Sequence, residues 1–171
     1  MAKTTTTRST SSAGPDRDLR ALLHVPQSDL WSQVTIRLER LGFPALRPAH
    51  VQVLSLVAAD SLRLSELVTA VGLPKQTVSD MIDDLEHMRM VERFPDPDHG
   101  VIKRVRLGPK GKVWAAEVKR VSAQTEARWA TRLGSKKMKS LRALLEELAA
   151  TVEQAREAHG ANGHRTSARR R

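Results

Sequence analysis

The stretch GLPKQTVSDMIDDLEHM at residues 72–88 decides the fold, because its turn residue, its start and its apolar spacing together specify one short helix. Gly72 permits a sharp turn, and Pro74 suits the first position of a helix. The apolar residues that follow recur at helical spacing and share one face; they are Val78, Met81, Ile82, Leu85 and Met88. The sequence therefore predicts a helix that buries this face and presents a polar edge to solvent.

Three further helices are predicted before this stretch, from apolar residues at helical spacing within residues 28–41, 48–60 and 64–71. Ser28 and Ser65 are the candidate N-caps of the first and third helices, because a serine hydroxyl accepts a hydrogen bond from an unpaired backbone N–H. Since only a glycine turn separates the third helix from the fourth, the two are predicted to form a helix-turn-helix.

The helical period ends after the fourth helix, and residues 101–107 alternate, which is typical of a strand. Residues 91–94 are predicted as one strand, the turn-rich PDPDHG at residues 95–100 as a loop, and residues 101–107 as a second strand. Alternation gives the second strand a packing face and a mostly basic face. The packing residues Val101, Val105 and Leu107 share their side with Lys103, and the other side carries Ile102, Arg104 and Arg106.

Two long helices are predicted after the hairpin, within residues 109–158. The last repeats apolar residues at spacings of three and four, which forms a heptad seam: Met138, Leu141, Leu145, Leu148 and Val152. An isolated helix would leave this row in water, so we expect a second copy of the chain to cover it. Together with the first helix, in residues 16–45, these helices are predicted to form the dimerisation region of a homodimer.

The composition of the 171-residue chain is that of a folded protein, with 40% hydrophobic and 28% charged residues. There is no cysteine, so disulfides, thiolate zinc sites and cysteine nucleophiles are excluded. The six histidines show no metal-ligand spacing, and no phosphate-binding loop or nucleophile elbow occurs. We therefore expect no metal, no cofactor and no enzymatic activity. No apolar run suits a signal or a membrane span, which favours a cytoplasmic protein without a membrane partner.

The net charge of +10 favours a polyanionic partner such as nucleic acid. Residues 99–120 contain seven Lys and Arg against one Glu, so positive charge is concentrated on the hairpin and the helix after it. The low-complexity ends, residues 1–15 and 159–171, are predicted to be a disordered basic arm and a disordered basic tail.

Two short helices joined by a glycine turn and followed by a basic hairpin are the elements of a winged helix-turn-helix, here within residues 46–108. The predicted fold class is therefore mainly α with a small β-hairpin wing and a helical dimerisation region. The start of the second helix in such a module meets base edges in the major groove, while wing cations meet phosphate. The candidate contacts to double-stranded DNA are Ser65, Lys75, Gln76, Thr77, Ser79, Asp80, Arg93, His99, Lys103, Arg104 and Arg106.

Residues 46–111 resemble the MarR family in the order of their short motifs. These are LRPAHVQVL from residue 46, SEL from 65, GLPKQTVS from 72, DDLE from 83, VERFPDPD from 91 and LGPKG from 107. The resemblance implies a homodimeric winged-helix transcriptional regulator that binds a near-palindromic site and is often released by a small phenolic or lipophilic ligand. It also places Trp31 and His50 where the pocket for that ligand would be lined.

Three positions depart from the usual pattern of that family. Arg89 stands where the family usually has Gly after the recognition helix, Gly108 stands where it usually has Thr, and the wing tip around Asp98 lacks the usual Arg. The helix that starts at Lys75 also carries more acids than bases. An alternative function therefore stays open, in which a dimeric winged-helix scaffold mediates protein contacts without sequence-specific DNA binding.

Overall fold

The computed structural model describes residues 18–98 and 100–167, with side chains up to residue 155. The chain divides after Ser122 into two compact units, and each is described by itself. The first holds helices α1 (Leu19–Arg40), α2 (Pro48–Ala59), α3 (Leu64–Val71) and α4 (Lys75–His87), strands β1 (Leu62–Arg63), β2 (Val91–Pro95) and β3 (Lys103–Leu107), and the start of α5 (Pro109–Leu133). The second holds the rest of α5 and α6 (Ser135–Ser167). The predicted fold class, mainly α with a small wing, is confirmed.

Helix α1 begins earlier than the sequence predicts. Asp18 is its N-cap, and the Asp18 carboxylate accepts a hydrogen bond from the backbone N–H of Ala21 at 2.7 Å. Ser28 lies inside the helix, so its assignment as the N-cap is wrong. Pro26 lies inside α1 as well, although a proline removes one helical hydrogen bond. The helix nevertheless continues through Pro26, so its N-cap is Asp18 and not Ser28.

Helices α3 and α4 form the predicted helix-turn-helix. The turn between them uses Gly72 at φ 72°, a left-handed conformation that glycine adopts without steric cost. The N-cap of α3 is Arg63, whose backbone N–H donates to the Glu66 carboxylate at 2.6 Å. Ser65 is already helical, so its predicted capping role is wrong. The Glu66 carboxylate, in the first turn of the helix, thus provides the capping acceptor that was expected of the Ser65 hydroxyl.

The sheet has three antiparallel strands in the order β1-β3-β2, one more than the hairpin predicted from the sequence. The additional strand β1 pairs Leu62 with Val105 and Arg63 with Arg104 on β3. A strand of two residues is too short for an alternating pattern to reveal. The sheet joins the wing to the segment that leads into α3.

The second wing strand begins at Lys103, later than predicted. Val101 precedes it and is 98% exposed, so its predicted position on the packing face is wrong. The backbone N–H of Asp96 donates to the carbonyl of Ile102 at 2.7 Å, which closes the loop before the strand starts. The wing tip is therefore a tight loop that carries Val101 outward.

The core of the first unit gathers apolar residues from its helices and its sheet. The fully buried members are Val34, Val53, Leu54, Leu67, Val78, Ile82, Leu85 and Met90. The predicted inner face of α4 is thus buried, although Met88 at its C-terminal end is only partly covered. Burial of this face fixes which edge of α4 is left for a partner.

The chain after α4 approaches the start of α5 very closely. Arg89 has φ 59°, a left-handed conformation that is uncommon for a residue with a side chain. A Cβ at Gly108 would lie 2.7 Å from the Arg89 carbonyl oxygen, and a Cβ at Gly111 would lie 1.9 Å from the Met90 carbonyl oxygen. Both positions therefore require glycine, which explains Gly108 where the resemblance would place threonine.

The second unit presents an apolar row on α6. Leu144 is 64% exposed, and Leu141, Leu145, Leu148 and Val152 are exposed as well. The backbone of α6 stays helical to Ser167, which runs past the predicted tail boundary at residue 159. The predicted arm, residues 1–15, lies outside the described residues.

Candidate nucleic-acid interface

The first turn of α4 presents polar side chains to solvent. Lys75, Gln76 and Thr77 are exposed because Val78 and the other apolar residues of this helix point inward. Nε2 of Gln76 donates a hydrogen bond to Oδ1 of Asp80 at 2.8 Å, one helical turn away. This contact orients the Gln76 amide and leaves its carbonyl oxygen and second N–H for another partner. An adenine edge is read by that pair of groups.

An open groove of about 570 Å³ lies beside α3, the start of α4 and the wing. The structure brings five of the predicted contact residues to its walls, namely Ser65, Lys75, Ser79, Arg93 and Lys103. Arg63 and Thr69 also line it, and the sequence had not singled out either. The described lining contains cations and no acid, so the groove attracts anions.

Lys75 and Lys103 provide the unpaired positive charge of this groove. Both side chains are exposed, and within the described part of the chain neither ammonium group forms an ion pair. An exposed, unpaired ammonium group is suited to displace counterions from a phosphate backbone.

Arg93 is predicted to contact DNA, but its guanidinium is engaged by acidic residues of α4. Its Nη2 lies 2.6 Å from the Asp83 carboxylate, its Nη1 pairs with Glu86, and its backbone N–H donates to Glu86 at 3.1 Å. The side chain is only 23% exposed. Arg93 therefore fastens strand β2 to α4 and neutralises two of the acids that made this helix negative.

The two arginines of β3 are also paired within the protein. Nε of Arg106 lies 2.6 Å from the Glu92 carboxylate, directly across the strand pair, and its guanidinium lies 4.6 Å from the ring centre of Phe94. Arg104 donates to the hydroxyl of Ser61 at 3.1 Å and also to its carbonyl. On the predicted basic face of the wing, Arg106 is therefore neutralised by Glu92, and Arg104 is held by uncharged groups of Ser61.

Asp96 organises the base of the wing tip, a role that the turn-rich sequence around it did not reveal. Its buried carboxylate accepts from Nε of Arg63 at 2.6 Å and from the backbone N–H of Asp98 at 3.0 Å, and lies 3.8 Å from Arg104. The hydrogen bond from Arg63 is the main cause that holds the pKa of Asp96 below its usual value, against the opposing effect of burial. His99, a predicted contact at this tip, lies outside the described residues.

His50 and Trp31, the two candidate ligand contacts, lie in different surroundings. His50 is buried, and its Nε2 lies 3.1 Å from Nη2 of Arg47 and 3.7 Å from the Asp84 carboxylate. Burial, followed by the charge of Arg47, lowers the pKa of His50. His50 therefore belongs to a polar cluster between α2 and α4.

Trp31 lines a small apolar pocket of about 90 Å³ together with Phe43, Leu46 and Trp114. His50 is not among the residues of this pocket, so the structure separates the two predicted ligand contacts. Trp114 was not predicted as a pocket residue. Its signal in the sequence was its helical spacing to Val118 and Val121.

Glu117 on α5 ties this helix to α1 through two arginines. Its carboxylate accepts from Nη2 of Arg120 at 2.7 Å and from Nε of Arg37 at 2.8 Å. These hydrogen bonds, with Arg120 the larger contributor, lower the pKa of Glu117 to about 2. The cluster supports the first unit and lies outside the basic groove.

The described residues contain no grouping of His, Asp and Glu that could hold a metal ion. Within the same residues, no helix is both long and apolar enough to span a bilayer.

The fold of the described residues is that of the winged helix-turn-helix proteins. Sequence comparison finds no matching family model and no match among curated proteins. Solved structures do match: the transcriptional regulator Tm0710 from Thermotoga maritima has a TM-score of 0.58 at 21% identity, over 79% of this chain and 94% of that one.

Two further regulators share the fold. A mutant of MepR from multidrug-resistant S. aureus has a TM-score of 0.64 at 16% identity, over 80% of this chain and 99% of that one. The transcriptional repressor CouR, in a structure with a 23-mer DNA duplex, has a TM-score of 0.56 at 24% identity, over 77% of this chain and 92% of that one. At such identities the comparisons establish the fold alone.

Proposed function

We propose that this protein is a MarR-type transcriptional regulator of the cytoplasm that binds double-stranded DNA through α4 and the wing. The observation that carries the proposal is the first turn of α4, where Lys75, Gln76 and Thr77 are exposed beside a groove lined by cations. Polar side chains on such a helix edge reach base edges in the major groove, while the lysines meet phosphate. The DNA-bound structure of CouR, which has this fold, supports the same use of it here.

Selection of preferred sites from random duplex DNA tests this proposal. We expect an inverted repeat whose half-sites lie about one helical turn apart, because the two α4 helices of a dimer enter successive major grooves. The matched control is a variant in which Lys75, Gln76 and Thr77 are all alanine; these side chains are exposed, so the variant keeps its fold. Recovery of no preferred sequence by the native protein would reject the proposal and favour the scaffold function.

The proposal includes a homodimer, and the exposed apolar row of α6 supports it. Five large apolar side chains on one face of a helix would stay in water in a single copy, and burial of such a row is a driving force for association. Leu145→Glu combined with Leu148→Glu should produce a monomer in sedimentation measurements. Ala150→Glu adds one negative charge to α6 away from the row and should remain dimeric. A dimer in the doubly substituted protein would contradict this interface.

We further propose a small apolar ligand in the pocket lined by Trp31 and Trp114, because two indole rings there provide flat apolar walls. A pocket of about 90 Å³ is smaller than the cavities that hold a benzene ring, so binding must displace Trp31, which is 38% exposed. Tryptophan fluorescence during titration with phenol or indole measures this. A Trp31→Ala variant that binds either probe as the native protein does would exclude the site.

A further inference from the structure

The wing tip carries an apolar side chain that the packing of the protein does not use. Val101 is the most exposed large apolar residue of the described chain, at 98%, and the adjacent Ile102 is 40% exposed. Neither belongs to the regular strand, which begins at Lys103. The tip therefore presents a short apolar surface where the MarR pattern would place an arginine.

The tip is held in place by hydrogen bonds at its base. The backbone N–H of Asp96 donates to the Ile102 carbonyl at 2.7 Å, and the Asp98 N–H donates to the buried Asp96 carboxylate at 3.0 Å. The same carboxylate is fixed by Arg63 from β1. Asp96 and Ile102, which flank the segment that carries Val101, are thus joined to each other by a hydrogen bond.

The position of the tip connects this apolar surface with the basic groove. Ile102 and Lys103 both line that groove, opposite Lys75 on α4. Val101 directly precedes Ile102 in the chain, so the exposed valine adjoins the residues that would hold a duplex in this groove. None of the described residues that line the groove is acidic, so none of them would repel the phosphates of a bound duplex.

We propose that Val101 enters the minor groove of bound DNA and makes binding sensitive to the 2-amino group of guanine at the base pair that it reaches. This inference rests on the proposed function, since it presupposes a duplex on α4. The partner surface is the deoxyribose edges of the groove, which are apolar and match a valine side chain.

The chemistry of the minor groove gives the direction of this preference. A·T pairs present only acceptors on the groove floor, whereas a G·C pair adds the guanine amino group. That amino group occupies space, and its hydrogen bonds to water are lost when an apolar side chain approaches. A·T-rich segments also have a narrower groove, which encloses a small side chain more completely. Val101 therefore favours A·T beside the half-site.

Inosine separates this readout from contacts in the major groove. An inosine·cytosine pair presents the major-groove edge of G·C but lacks the 2-amino group. Single A·T pairs flanking the half-sites of the selected duplex are replaced by G·C and, separately, by inosine·cytosine. At the position that Val101 reaches, we expect G·C to weaken binding by about fivefold and inosine·cytosine to restore it to within about twofold.

Val101→Ala should remove most of this discrimination, and its exposed position means that folding is unaffected. Val113→Ala is the matched control, because Val113 is also an exposed valine of the first unit but lies on α5; it should keep the full penalty. Equal weakening by G·C and inosine·cytosine, or an undiminished penalty in Val101→Ala, would overturn the inference while leaving DNA binding intact. Absence of any sequence preference in the native protein would instead reject the proposed function itself.

Discussion

Arg63 and Asp96 form the ion pair that joins the helix-turn-helix to the wing, with Nε of Arg63 2.6 Å from the Asp96 carboxylate. Arg63 is both the last residue of β1 and the N-cap of α3, while Asp96 begins the loop after β2. This pair thus adds a side-chain contact to the pairing of β1 with β3, which already joins the wing to the segment that leads into α3. The separation of 33 positions in the chain hides this relationship from any local pattern.

Asp96→Asn should destabilise the first unit, because it leaves the partly buried Arg63 guanidinium without its carboxylate. We expect the thermal midpoint to fall by about 5 °C or more, as is typical when one partner of a buried pair is removed. Asp98→Asn is the control, since Asp98 is exposed and contributes its backbone N–H rather than its side chain. Equal midpoints for the two variants in calorimetry would show that the pair is dispensable.

Lys103→Ala and Lys75→Ala should each reduce the slope of log affinity against log salt by about one unit, because each removes one phosphate contact. Arg106→Ala should change the slope less, since its guanidinium already faces Glu92 at 2.6 Å. Affinity measured by fluorescence anisotropy over a salt series gives all three slopes. A larger change for Arg106→Ala than for Lys103→Ala would mean that the Glu92 pair opens on binding.

Gln76→Ala should relax base preference at one symmetric pair of operator positions, and Asp80→Ala should relax the same pair by releasing the Gln76 amide. Asp80→Asn retains an acceptor for that amide and removes a negative charge near phosphate, so it should preserve the preference and strengthen nonspecific binding. Site selection with each variant measures this. Loss of preference at different positions in the two alanine variants would show that Asp80 acts independently of Gln76.

Arg89→Gly should stabilise the protein by about 1 kcal/mol, because glycine accepts a positive φ that costs an ordinary residue roughly that much. Arg89→Ala keeps the left-handed strain and serves as the matched control. Urea denaturation compares the three proteins. If alanine stabilises as much as glycine, the benefit comes from the loss of the arginine side chain and the backbone conformation is not the cause.

The contribution of Glu117 to stability should depend on pH in the acid range. Its pKa falls from the ordinary 4.5 to about 2 on folding, so the ionised form stabilises the native state above pH 4.5. That contribution is lost as the pH falls from about 4.5 to about 2. Glu117→Gln should therefore be less stable than the native protein at neutral pH, and the difference should fade toward pH 2. Glu39→Gln, at an exposed position on α1, should show a smaller difference at neutral pH.

The sequence by itself determined the helix-turn-helix and the inner face of α4. Apolar spacing from Val78 to Leu85 and the turn at Gly72 are local signals, and each is confirmed by burial or by backbone geometry. The same spacing fixed which residues of α4 remain outside, because burial of one helix face exposes the other. The exposure of Lys75 and Gln76 on the opposite edge could therefore be predicted from the sequence.

Only the tertiary structure decided which cations remain available. Arg93, Arg104 and Arg106 were predicted as contacts from charge alone, but residues of α4, β2 and the loop before β1 neutralise or bond them. Ion pairs between residues far apart in the sequence leave no periodic pattern. A charge count from the sequence therefore gives a paired arginine the same weight as an unpaired lysine. The start of α1 was missed for a different reason, since a proline disfavours a helix interior and yet the helix continues through Pro26. Local chemistry thus set the elements, and contacts between distant residues set the charge that the assembled surface presents.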